Sequence, residues 1–284
     1  MKVLVVANNK GGVGKTTLSQ ILSIYMAEHG HRTLAIDLDP QCNFSRRFID
    51  MEIDPADPQA IMPPVQPNYE PAWEGDVGRG SSADIYMRGL SLSYPTSTKG
   101  LEIVPGHSKD LLQVERVTQQ EVSKAVHKQL AVWLEDAKIK DDFDLVVIDT
   151  GPSKGPLTTS ALYAATHIII PAEMEELSVE GLYGMLAYWS VNNLQRPPTN
   201  PLTLIGIVAN KFDKRLPIHK HYYDALSEDP RIGKYMLPVK MHYWQDYKEQ
   251  AMHDAKPVLH LAASNKTRQE AEELCKLIEE RIYG

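Results

Sequence analysis

Lys10-Gly11-Gly12-Val13-Gly14-Lys15-Thr16-Thr17 follows a short apolar run, Val3 to Ala7, and precedes a stretch with helical spacing, Leu18 to Ala27. Three glycines within four positions let the backbone turn with its N–H groups pointing inward, and the start of the following helix adds the positive end of its dipole. Both features attract phosphate oxygens. In such a loop Lys15 reaches the β- and γ-phosphates of a nucleoside triphosphate, and the Thr16 hydroxyl ligates Mg2+. Gly11, Gly12, Val13, Gly14 and Thr17 supply the rest of the cradle. A merely flexible surface turn needs neither the strand before it nor the helix after it. Lys10, a second lysine ahead of the glycines, is the informative feature.

Three further stretches carry groups that phosphoryl transfer needs. In Asp37-Leu38-Asp39-Pro40-Gln41, alternation along an extended backbone puts both carboxylates on one side, where one would stand near a metal and one near an attacking water. A polar turn after a strand would look the same in isolation. Leu145-Val146-Val147-Ile148 is a buried strand that delivers the Asp149 carboxylate at its end, where it would hold Mg2+. Asn210-Lys211-Phe212-Asp213 follows an apolar run, Leu202 to Ala209. It fits a guanine-recognition box, in which the carboxylate accepts from the base.

These motifs together resemble the ParA/MinD group of P-loop ATPases. Lys10 to Thr17 is similar to that group's deviant Walker A box, whose first lysine crosses a dimer interface to the partner's nucleotide. The resemblance implies Lys10, Lys15 and Asp39 as catalytic residues, with Asp39 positioning the hydrolytic water. It implies Asp37 in a magnesium shell with Thr16 and Asp149. Asp149-Thr150-Gly151-Pro152 is similar to the group's second switch, with Gly151 where proline is more usual. Leu237-Pro238-Val239-Lys240 and Ala255-Lys256-Pro257-Val258 resemble the segments that close over the base and carry basic residues toward DNA. Pro238 and Asn210 are thereby expected at the nucleotide, and Arg215 and Lys256 at DNA. The group is dominated by ATPases, so ATP with Mg2+ is the expected cofactor. The expected partners are a second copy when ATP is bound, nonspecific DNA, and a ParB-like centromere-binding or adaptor protein. Plasmid or chromosome partition is the function this implies; the alternatives are a GTP-dependent protein-binding switch and an ATPase that positions a non-DNA cargo.

Strands and helices alternate along the chain, and with the loop after the first strand this predicts a doubly wound, mostly parallel α/β sheet with helices on both faces, the fold of P-loop NTPases. The 284 residues suit one large domain, with a Pro/Gly-rich surface insertion at about 54–82 that has too little apolar periodicity to make a core. Leu111 to Lys138 has helical spacing with Leu130, Val132, Trp133 and Leu134 facing inward, and Lys266 to Tyr283 reads as a closing helix. Two cysteines are too few for a disulfide framework, and no leader or spanning segment is evident, so a cytoplasmic protein is expected, and the resemblance implies that it associates with the nucleoid. A net charge of −7 neither announces nor excludes a nucleic-acid partner. Residues 211–268 are the most basic part, although Asp224, Glu228, Asp229, Asp246, Glu249 and Asp254 are interspersed. A membrane-cycling relative would end in a basic amphipathic helix. Here Glu270, Glu272, Glu273, Glu279 and Glu280 make the tail acidic.

Overall fold

The computed structural model describes residues 1–70, 78–117, 119–252 and 255–284. The first half unit runs β1 (Lys2–Val6), α1 (Lys15–Glu28), β2 (Thr33–Leu38) and a short α2 (Ser45–Phe48). A hairpin of β3 (Glu52–Asp54) and β4 (Asp57–Met62) follows, then α3 (Ser82–Met87), the edge strand β5 (Tyr94–Pro95) and β6 (Leu101–Val104). Next come α4 (Ser108–Glu115), α5 (Gln120–Leu134), α6 (Ala137–Asp142), β7 (Leu145–Thr150), α7 (Pro156–Ala164) and β8 (His167–Glu173). The chain closes with α8 (Glu176–Leu194), β9 (Thr203–Asn210), α9 (Pro217–Glu228), α10 (Gln245–Glu249) and α11 (Lys266–Tyr283).

Seven strands form one sheet in the order β5-β6-β2-β7-β1-β8-β9, parallel throughout except for β5. The expected doubly wound architecture is therefore present. Strand alternation divides the core in two: Val3 and Val5 of β1 enter a cluster with residues of α3, α4, α5, α7 and α8, whereas Leu4 and Val6 join residues of α1 and α11 on the other face. With both faces covered, the inner strands need apolar residues at every position. All six residues of β7, Leu145 to Thr150, are buried.

Three expectations change. Leu111 to Lys138 is not one helix but α4, α5 and α6. A continuous apolar stripe would have taken Val122 inward, yet Val122 is exposed while Leu111, Val114, Val126, Leu130 and Leu134 are buried, so each segment aims its own stripe at the core. Val132, expected inside, is also exposed, and Trp133 is only half-buried. The 54–82 stretch is less irregular than its prolines suggest. It includes β4, which pairs antiparallel with β3, and ends at Ser81, whose capping box with Asp84 starts α3. Residues 71–77 of that stretch, with Pro71 and Gly75, lie outside the described residues, as does Asp254.

Candidate functional site

The order β2-β7-β1 brings three motif-bearing strand ends side by side. Asp37 is in register with Asp149 across β2 and β7, and Val6 is in register with Asp149 across β1 and β7. The glycine loop leaves β1 at that same end and enters α1 at Gly14, where φ is +86°. An added Cβ at Gly14 would lie 2.0 Å from Asn210 Nδ2. Conformation and space both demand glycine there. Asn210 explains the crowding: its Nδ2 donates to the Val13 carbonyl at 2.6 Å, so the end of β9 is fastened to the phosphate loop.

Inside the loop, Lys15 is buried and its ammonium donates to the Lys10 carbonyl at 3.1 Å. Burial lowers the Lys15 pKa, against the upward pull of Asp149 and Asp39. Thr16 Oγ1 donates to Asp149 Oδ2 at 2.7 Å, and Ser19 Oγ, almost one turn along α1, donates to Asp149 Oδ1 at 2.8 Å. Ser19 carries no motif signal; only its helical spacing from Thr16 could have pointed to it. Asp149 is fully buried, and that burial, with the Asp37 charge alongside, pushes its pKa up to about 8. Burial likewise raises Asp37 to about 7. Adjacent buried carboxylates of this kind are stabilised by positive charge close at hand.

The two switch aspartates differ in their hydrogen-bond partners. Asp37, expected in the metal shell, is used within its own loop: Oδ2 accepts from the Ser45 N–H at 2.8 Å and Ser45 Oγ at 2.6 Å, and Oδ1 accepts from the Asp39 N–H at 3.0 Å. Asp39, largely buried, accepts from the Gln41 N–H at 2.9 Å and borders a 200 Å3 cavity with Gly151, Pro152 and Ser153. A Cβ at Gly151 would sit 3.5 Å from Asp39 Oδ1, an ordinary contact, so this departure from proline is not sterically required. Lys10 lies exposed at the loop's rim, its N–H bound to Asn8 Oδ1 at 3.0 Å.

A cavity of about 300 Å3 adjoins the loop, lined by Gly14, Thr17, Asn210 and Lys211 on one side and by His242, Tyr243, Trp244, Tyr247, Lys248 and Ala251 on the other. Its aromatic wall was not anticipated from the sequence. Pro238, expected at the base, lines a different recess with Lys240, His242 and Glu270. Asp213 does not line the base cavity either. Its carboxylate is chelated by Arg215 at 2.7–3.2 Å. Arg215 is thus exposed but already paired, whereas Lys256 is exposed at the far end of the same segment. A further cavity, about 840 Å3, opens beside the C-terminal half of α1, away from the phosphate loop, and its histidines pair with Glu28 and Glu279.

Similarity to known proteins agrees with this geometry. The profile of a family described as AAA domain matches residues 1–202. The chain is 31% identical over 220 residues to the chromosome-partitioning ATPase Soj of Treponema pallidum, covering 75% of this chain and 73% of Soj. An uncharacterised protein of Methanocaldococcus jannaschii is 29% identical over 99% of this chain and its own whole length. In fold, the chain is similar to an ATP complex of McdA from Cyanothece, with a TM-score of 0.72 at 18% identity over 98% of this chain and 96% of McdA. The chain belongs to the AAA domain family and, within it, to the ParA/MinD-type partition ATPases.

Proposed function

We propose that this chain hydrolyses ATP to drive the partition of DNA, acting as a dimer that binds DNA nonspecifically and is released by a partner protein. The observation that carries this reading is the convergence of Lys15, Thr16, Asp149 and Asp39 at the ends of three adjacent strands. The Thr16 hydroxyl and the Asp149 carboxylate are hard oxygen donors that suit Mg2+. When bound, the ion supplies charge neutralisation for the phosphates. Lys15 holds the phosphates from its buried position, the N–H groups of Gly11 to Thr17 orient them, and Asp39 positions the water. Asp37 fastens the switch loop that carries Asp39. The same reading treats residues 1–284 as one P-loop ATPase domain, since both apolar clusters share a single sheet.

Adenine is favoured over guanine because none of the residues lining the base cavity, among those described, is acidic. A guanine site needs a carboxylate to accept from the base, and Asp213 is chelated by Arg215 instead. In this reading Lys10, exposed at the rim, reaches across to a second copy. The Soj relative supports a partition-type role, whereas the DNA contacts rest on the basic segment. That segment is partly self-neutralised: Lys211 pairs with Glu173, Arg231 with Asp229, Arg268 with Glu272 and Arg215 with Asp213. Lys256 is consequently the better of the two DNA-contact residues. DNA affinity measured with and without ATP across a salt series tests the proposal: ATP-dependent binding that falls steeply with salt is expected, and binding indifferent to salt contradicts phosphate contacts.

A further inference from the structure

The wall of the base cavity is not held by its own backbone alone. One side chain on α11 gathers three of its residues. Glu270 Oε1 accepts from the His242 N–H at 2.7 Å and from the Tyr247 hydroxyl at 2.9 Å, while Oε2 accepts from His242 Nδ1 at 2.5 Å and faces Trp244 Nε1 at 3.4 Å. Three of the residues lining the cavity therefore share one carboxylate. A second tie joins the same two pieces: Thr267 Oγ1, in the first turn of α11, donates to Asp246. Between these ties, Lys248 lies over the Tyr243 ring at 4.4 Å, so the segment presents a rigid, aromatic and cationic surface toward Gly14 and Thr17.

We propose that Glu270 is a positioning residue for base recognition: it holds His242, Trp244 and Tyr247 as the face on which the purine ring of the nucleotide stacks. This rests on the reading of the site as a nucleotide site. The chemistry follows from the geometry. Stacking on an aromatic face is worth a factor of ten or so only while the ring stands at the right depth and tilt, and a side chain free to rotate loses that advantage on ordering. The hydrogen bonds of Glu270 go to His242, Trp244 and Tyr247 and not to the phosphate loop, so its contribution falls on the base end of the ligand. Glutamine at this position keeps the shape but replaces one acceptor oxygen with an amide that cannot accept, leaving at least one pair of donors on the wall unmatched.

Isothermal titration of the full chain with Mg-ATP and with magnesium tripolyphosphate separates the two ends of the site. For Glu270→Gln the expected result is a roughly tenfold loss of ATP affinity with tripolyphosphate affinity unchanged. Tyr247→Phe, which removes one donor and keeps the ring, should give a smaller loss of the same kind, about threefold. Equal losses for both ligands would make Glu270 a structural strut and overturn the proposal. So would an unchanged ratio of the two affinities in both variants. A parent protein that binds neither ligand would overturn the nucleotide reading itself, and this inference with it.

Discussion

The phosphate end and the base end of the candidate site lie against each other across Gly14 and Thr17, yet they are built by opposite means. The phosphate end is local: one eight-residue loop, one helix start, and carboxylates delivered at neighbouring strand ends by sheet register. Its cradle is set by backbone geometry, including a left-handed Gly14 that no other residue would occupy without strain. The base end is remote. Its wall, from His242 to Ala251, is brought to the loop by backbone pairing of Met241 to Tyr243 with the end of β9, by Glu270 and Thr267 of α11, and by Asn210, which pins β9 to Val13. A site of this kind fixes its triphosphate through short-range rules and its base through long-range packing, so the two should fail separately when mutated.

The sharpest break of that separation comes from Lys15→Ala. Removing the buried ammonium should lower ATP and tripolyphosphate affinity alike, by roughly 100-fold, since hydrogen bonds to charged groups contribute about 1.5–3 kcal/mol each. Competitive displacement of a fluorescent nucleotide would measure it. Equal affinity for the parent and the variant would remove Lys15 from the phosphates.

Trp244→Ala acts on the other end and should cost ATP about tenfold while sparing tripolyphosphate, because only the base has a ring to stack. A matching loss of tripolyphosphate would merge the two ends into one cooperative unit. The smallest effect is expected from a region that belongs to neither. His167, at the start of β8, is largely buried beside Lys2, and burial is the larger reason its pKa is lowered to about 4. The unfolded chain takes up this proton near pH 6.5 and the folded chain does not, so stability is full above that pH and declines as pH falls from about 6.5 toward 4. Thermal melts of His167→Gln should lose part of this slope, with nucleotide affinity at pH 7.5 unaltered. An identical slope in both proteins would assign the acid sensitivity elsewhere.

The same contrast governs what could be read from the sequence. The phosphate loop, the strand ending on Asp149 and the Asp37 to Asp39 turn are contiguous motifs whose chemistry depends on spacing, and the structure brings them together as expected. The closing helix, α11, runs from Lys266 to Tyr283 as its apolar spacing predicts, with Asn265 capping it. Glu270, by contrast, looks like any solvated charge on that helix, because its partners lie about 25 residues earlier in the chain and are joined to it only by tertiary folding. Pro238 was expected at the base from a local resemblance, but position along the chain did not fix which cavity it lines. Asp37 has partners that its motif did not announce. Its carboxylate lies beside Asp149, as alternation and register require, yet the nearby Ser45 hydroxyl and N–H claim it. No glycine or proline between Arg116 and Gln119 announces in the sequence that α4 ends at Glu115 and α5 starts at Gln120.

The central claim is that the loop and the three strand ends form an ATP-hydrolysing site in which Asp39 serves the attacking water and not the nucleotide. Hydrolysis of ATP and binding of ATP, measured on the same preparations of the parent and of Asp39→Ala, test it most directly. The account predicts nearly equal binding and a loss of hydrolysis of roughly 100-fold or more, with the variant held in its ATP-bound dimer. A variant that hydrolyses ATP as fast as the parent would contradict it.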